Sequence, residues 1–282
     1  MKTYPDCYLC FLRQALSIAQ RFGLDDEARV RVIKRVLAVL LELDPHDTPA
    51  RMATGIQEII REETGSDDPY ATLKERSTQE ALALLPTLRS LVQSADDPFY
   101  TAVRLAIAGN IIDYGAMDGY DLQASVERAL EEPLGIDHTT ALREAIARAE
   151  WVLYLSDNAG ETVFDRLLIE QMETPVYYGV RSGPASNDAT EQDAVAAGLH
   201  EVARIVPNGS NAVGTLLDRC SEEFRRLFAQ AEVIIAKGQA NYETLSGGGR
   251  RFFFLLQAKC DIVARHAGVP VRSHIALQDP GG

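Results

Sequence analysis

The chain has 282 residues, 46% of them apolar and 24% charged, the balance expected of a globular protein with one large domain or two small ones. No run of about 18 apolar residues suggests a membrane span, and Met1-Lys2-Thr3-Tyr4-Pro5-Asp6 lacks an apolar signal core, so a cytoplasmic protein with no membrane partner is expected. The 28 basic and 41 acidic side chains give a net charge of −13, which repels phosphate backbones and argues against nucleic acid as a partner.

Cys7 and Cys10 form a Cys-x-x-Cys pair at the start of an amphipathic helix, while Cys220 and Cys260 stand alone. The pair is half of a zinc-type motif with no second half, so a metal or redox role stands beside two small core residues as its reading. Four cysteines in a chain of this length do not suggest a secreted disulfide scaffold. Val32, Val36, Val39, Leu40 and Leu43 share one helix face, as do Leu73, Ala81, Leu84, Leu88 and Leu91. Thr48-Pro49, Asp68-Pro69 and Asp97-Pro98 each set a capping side chain before a proline suited to the first helical position. Within the largely apolar segment from Phe99 to Ile112, Asn110 shares a stripe with Ala102, Ala106 and Asp113. Buried polar groups need partners, either nearby backbone or a site into which they project. Residues 1–149 are read as a helical subdomain of six or seven helices.

The pattern changes near residue 150. Strands are expected over 151–155, 175–180, 202–206, 232–236 and 251–256, the first four separated by helical stretches. This alternation predicts a mostly parallel sheet with helices on both faces over 150–282. The first strand runs into Ser156-Asp157-Asn158-Ala159-Gly160-Glu161, and ligands in open α/β sheets bind off such carboxyl ends. The Ala-Gly step would let a ligand approach the backbone. Arg181 and Asp188 follow the second strand, Asn208 and Ser210 the third, and Lys237, Gly238 and Asn241 the fourth.

In a parallel sheet these ends share one edge. Asp157, Asn158 and Asp188 then make a hard-oxygen set suited to Mg²⁺ or Mn²⁺, with helix capping as the competing use of each Asp. Lys237 can meet a phosphate as a point charge. Gly247-Gly248-Gly249 reads as a turn, and the five histidines show no metal-ligand spacing.

Several motifs, in this order and combination, resemble those of the damage-control phosphatases, an ARMT-like metal-binding family: Cys7-x-x-Cys10, Gly109-Asn110-Ile111-Ile112-Asp113, Asp157-Asn158-Ala159-Gly160-Glu161, Asn187-Asp188-Ala189-Thr190, Asn208-Gly209-Ser210, Lys237-Gly238-Gln239-Ala240-Asn241-Tyr242-Glu243 and Ala258-Lys259-Cys260. The resemblance spans essentially the whole chain, and the Cys-x-x-Cys pair is similar to the prokaryotic and archaeal branch. It implies a Rossmann-like α/β/α sandwich preceded by an all-helical subdomain. It also implies a phosphatase that acts on small phosphorylated metabolites with Mg²⁺, Mn²⁺, Co²⁺ or Ni²⁺.

Under this resemblance the metal ligands are Asp157, Asn158 and Asp188, and Lys237 binds phosphate. Asn110, Asp113, Glu161, Ser210 and Asn241 line the substrate pocket. Asp157 and Asn158 act through the metal and Lys237 neutralises the transferring group, with nucleophilic attack by Asp157 as the alternative. Three other readings remain: a phosphometabolite-binding protein without turnover, an S-adenosylmethionine-dependent carboxyl methyltransferase, and a haloacid-dehalogenase phosphatase. The third is disfavoured because Ala159 stands where its second Asp would be. A homo-oligomer is compatible with the sequence.

Overall fold

The computed structural model describes residues 1–115, 126, 130–248 and 252–279, with the side chains of 110–115 outside the description. Five helices come first: α1 (Pro5–Arg21), α2 (Asp26–Glu42), α3 (Pro49–Thr64), α4 (Ala71–Ser94) and α5 (Pro98–Gly115). Their starts follow from local chemistry. The Asp25 carboxylate accepts the Ala28 N–H at 2.8 Å, and that of Asp97 accepts the Tyr100 N–H at 3.0 Å, each satisfying an orphan donor of a first turn.

Two of the expected caps work differently. Thr48 sits at the N-cap of α3 without a side-chain cap bond. Asp68 accepts from Tyr70 N at 3.0 Å, and α4 begins at Ala71 rather than at the proline. Ala28, Val32, Val36 and Leu40 form the buried stripe of α2, while Val39 faces outward. None of the described helices is long and apolar enough to cross a membrane.

The remaining chain alternates strands and helices: β1 (Ile136–Asp137), α6 (Thr139–Arg148), β2 (Val152–Leu155), α7 (Thr162–Ile169), β3 (Val176–Val180), α8 (Glu191–Ala196), β4 (Arg204–Pro207), α9 (Glu222–Gln230), β5 (Val233–Lys237), α10 (Gly238–Leu245), β6 (Phe252–Gln257), α11 (Asp261–Ala267) and β7 (His274–Gln278). The strands form one sheet in the order β1-β7-β6-β5-β2-β3-β4. Every neighbouring pair is parallel except β6 with β7. The five expected strands are present within about two residues.

Two more strands escaped the sequence reading. β1 has only two residues, and β7 mixes His and Gln with apolar residues. β1 and α6 precede residue 150, yet β1 completes the sheet edge beside β7.

Alternation along the central strands divides the core. Val152 and Tyr154 join the cluster formed with α4, α5, α6 and α7. Leu153 and Leu155 face the opposite cluster, with Phe224 and Phe228 of α9 and Tyr242 of α10. Both faces are covered, as parallel sheets require. A third cluster, including Phe11, Val32, Val36, Ile56 and Ile60, holds α1, α2 and α3 together and reaches Ile262 of α11. The fold is a Rossmann-like α/β/α sandwich with helices at its N-terminus.

Candidate active site

β2, the central strand between β3 and β5, ends at Leu155. Its in-register neighbours there are Gly179 of β3 and Ala236 of β5. The strand ends carrying Asp157, Arg181 and Lys237 are therefore adjacent at the switch region of the sheet, where a cleft between crossovers is expected. The loop after β3 folds back on the loop after β2. Ala189 N donates to Asp157 O at 2.8 Å, Ala159 N donates to Asn187 O at 2.9 Å, and Asn158 and Asp188 form an antiparallel bridge. This backbone clasp gathers Asp157, Asn158 and Asp188, which lie 31 residues apart in sequence at the extremes.

Neither Asp occupies a helix N-cap position. Those positions fall on Asn158, before a 3₁₀ turn, and on Thr190. Thr190 N donates to the Asp193 carboxylate at 2.9 Å.

All three members of the set are buried. Burial, and next the charge of Asp188, push the Asp157 carboxyl up to about 6, against the pull of Lys259, Lys237 and Arg181. Asp188 is raised by burial and restrained by Arg181. Arg181 is itself buried and donates from Nε to Asp188 Oδ2 at 2.7 Å.

Asn158 Nδ2 donates to Glu161 Oε1 at 2.6 Å and to Asp157 Oδ2 at 3.3 Å. With its N–H groups so engaged, the amide offers Oδ1 for a further contact. Two crowded carboxylates, their pKa values raised by burial, and an amide oxygen suit a hard divalent cation. Among the described residues, no three His, Cys, Asp or Glu side chains form a metal-binding group by themselves, so the amide of Asn158 is needed to make the set three.

Lys237 ends β5 beneath these groups and is fully buried. Its ammonium donates to Glu161 Oε2 and Asp165 Oδ1, each at 2.9 Å. Burial alone would lower its pKa, but Asp165 and Glu161 more than reverse that, and the pKa is raised. The point charge anticipated for a phosphate is thus engaged by two carboxylates of this chain. Burial drives Glu161 up to about 7, with Lys237 opposing and Asp157 and Asp165 adding. Asp165 also accepts from Tyr154 OH at 2.8 Å and Tyr178 OH at 2.7 Å.

Asn241 is brought to the same edge but ties it together. Its Nδ2 donates to Lys237 O at 2.8 Å and Ser156 O at 3.0 Å, while its Oδ1 accepts from Thr215 Oγ1 at 2.7 Å. Ser210 lies in the loop after β4, where its Oγ accepts from Ala212 N at 3.1 Å and its carbonyl from Ser182 N at 2.9 Å. The Asn110 and Asp113 side chains lie outside the described residues.

Two glycines fix the geometry. Gly238 has φ +78°, and a Cβ there would lie 1.8 Å from Asp157 Oδ2. Only glycine therefore lets the start of α10 approach the carboxylate this closely. Gly160 was expected to admit a ligand, but a Cβ there would meet Ser77 of α4 at 2.9 Å. Its smallness serves helix packing.

Sequence reasoning gave no role to Arg181, Asp165, Thr215 or Lys259. Arg181 and Lys259 do stand at strand ends on the same edge, which was the available signal. Asp165 belongs to a Phe164-Asp165 pair that accompanies the Asp157–Glu161 motif in the family resemblance, and Thr215 gave no signal, because its partners are distant in sequence.

The model of the damage-control phosphatase ARMT1-like domain matches residues 3–275. The chain is 36% identical over 288 residues to a damage-control phosphatase of Pyrococcus horikoshii, covering 99% of each. It is 35% identical over 287 residues to a damage-control phosphatase of Archaeoglobus fulgidus, covering 98% of this chain and 99% of the relative. A crystal structure of a DUF89-family protein from P. horikoshii superposes with a TM-score of 0.89 at 34% identity, covering 99% of both chains. A family match over nearly the whole length, carried by the same fold, has one conclusion: this chain belongs to the damage-control phosphatase ARMT1-like family.

Proposed function

We propose that this protein is a divalent-metal-dependent phosphatase that hydrolyses small phosphorylated metabolites. The observation that carries the reading is the buried cluster of Asp157, Asn158 and Asp188 at the sheet edge, crowded enough to hold Asp157 near a pKa of about 6. Such a cluster is costly without a cation. The names of the two archaeal relatives supply the reaction class.

Asp157, Asn158 and Asp188 would hold the ion, which when bound supplies Lewis acidity to a phosphoryl oxygen and to water. The other residues maintain the site. Arg181 orients Asp188 through Nε. Glu161 orients the Asn158 amide, and Lys237 offsets the charge of Glu161 and Asp165. Lys259, whose charge acts on both Asp157 and Glu161, contributes positive potential that favours an anionic substrate on this acidic protein.

The test is phosphate release from a panel of phosphorylated metabolites with Mn²⁺, Co²⁺, Ni²⁺ or Mg²⁺. Asp157→Asn and Asp188→Asn should each lower the rate by at least about 100-fold. Wild-type binding of these metabolites without phosphate release under any metal would instead make the protein a binder.

A further inference from the structure

Lys74 has no part in the site just described, yet it is buried in the first turn of α4 with its ammonium against two carboxylates. Asp68 Oδ2, from the turn before α4, lies 2.8 Å from Nζ. Asp193 Oδ2 of α8 accepts from Nζ at 3.2 Å. A lysine is seldom buried unless it is paired, and Asp68 alone would pair it. The second carboxylate ties α4 to the α/β layer across 119 residues of sequence.

Asp193 carries that contact towards the oxygen cluster. The same Oδ2 accepts from Thr190 N at 2.9 Å and from Thr190 Oγ1 at 2.6 Å. Three donors thus converge on one oxygen and fix Thr190 relative to α4. Thr190 bridges to Arg181 at the end of β3, and it stands two residues after Asp188. Between them, Ala189 N donates to Asp157 O at 2.8 Å, and Ala189 O accepts from Arg181 N at 2.9 Å. The path from Lys74 to Asp188 therefore runs through two side chains and a short stretch of backbone that is itself hydrogen-bonded to both neighbouring strand ends.

The next turn of α4 presses on the other loop. Ser77 is buried, and its Oγ donates to Lys74 O at 3.0 Å. A Cβ on Gly160 would lie 2.9 Å from Ser77 Cβ and 3.3 Å from the Ser77 carbonyl carbon. Gly160 directly precedes Glu161, which accepts from the Asn158 amide at 2.6 Å. The start of α4 therefore abuts both loops that carry Asp157, Asn158 and Asp188.

We propose that Lys74 is a positioning residue for the cation site: by anchoring Asp193, and through it Thr190, it holds the Asp188 loop where Asp188 can share an ion with Asp157 and Asn158. The inference rests on the metal site proposed above. Among the described residues, Lys74 pairs with Asp68 and Asp193 and with none of the three ligands, so its removal acts through the loop. Asp68 separates this role from simple neutralisation of charge. Lys74→Met leaves two largely buried carboxylates facing each other, which destabilises the fold whatever happens at the ion. Adding Asp68→Asn removes that repulsion but cannot restore the anchor on Asp193.

The experiment titrates metal-free full-length protein with Mn²⁺, Co²⁺, Ni²⁺ or Mg²⁺ by isothermal calorimetry and follows thermal unfolding of the same samples. Lys74→Met/Asp68→Asn should weaken ion binding about tenfold, the low end of the range for outer partners of a metal site, while melting closer to wild type than Lys74→Met does. Asp68→Asn alone should bind as wild type does, and Lys74→Arg should restore most of the affinity. Adding Thr190→Val to the double variant should cost less than the product of the separate losses, because both changes act through Asp193. Equal affinity in wild type and Lys74→Met/Asp68→Asn, or an equal loss in Asp68→Asn alone, overturns the positioning role and leaves the metal site standing. No ion binding by the unaltered protein, with Asp188→Asn titrating identically, overturns the metal site and this role with it.

Discussion

Asp157 and Glu161 make the site sensitive to pH, and the direction follows from their shifts. Their pKa values stand at about 6 and about 7 in the folded chain, against ordinary values of 3.8 and 4.5. The folded state therefore binds more protons than the unfolded state across that interval. Metal-free protein should lose stability as pH rises through it, because each carboxylate must ionise where burial disfavours charge. A bound divalent cation favours the ionised forms. The gain in melting temperature on adding Mn²⁺ should thus grow from about pH 5 to about pH 8, and thermal-shift scans with and without the metal measure it. A gain independent of pH would disconnect these carboxylates from the ion.

Arg181 is the residue whose part is least evident from chain position. It holds Asp188 at 2.7 Å and reaches Thr215 Oγ1 at 3.5 Å. Thr215 passes the contact to Asn241, which grips the ends of β2 and β5. Arg181→Met should leave Asp188 charged but poorly oriented and weaken metal affinity or turnover by about 10–100-fold. Lysine at this position should restore charge without the fork geometry and recover only part of the loss. Metal titration of the two variants separates orientation from charge.

The start of α10 shows how an element can be dictated by one residue. β5 delivers Lys237 to the edge, and the chain must turn at once into a helix against Asp157. Gly238 does this at φ +78°. Gly238→Ala should cost about 1–2 kcal/mol for the left-handed conformation and more for the collision with Asp157 Oδ2. The expected outcome is a lower urea midpoint together with loss of metal-induced stabilisation, read from the same unfolding curves. A variant with wild-type stability and metal response would mean that the helix start has room to move.

Other elements were legible from pattern alone. α2 shows a clear 3.6-residue period, and β2 and residues 233–236 of β5 are continuous apolar runs, as strands covered on both faces must be. β7 was not legible, because its polar residues break the apolar signal.

Over the whole chain, the helices before the sheet do not stand apart. α4 and α5 share a continuous core with α7 and the central strands, and Lys74 of α4 bridges to Asp193 of α8 at 3.2 Å. Unfolding should therefore be a single cooperative transition, with calorimetric and van't Hoff enthalpies agreeing; two resolved transitions would show that the helical part unfolds separately. The order of motifs in the sequence determined the family, the layer architecture and the edge on which Asp157, Asn158 and Asp188 lie, because hydrophobic period and strand-end chemistry are local properties. Only the tertiary structure decided what those groups touch. It buried Lys237 between Glu161 and Asp165, gave Asp188 to Arg181, made Asn241 a clamp and set Cys260 against α1. Each of these depends on which distant side chain fills a given volume and satisfies a given buried charge, and a linear pattern does not encode that.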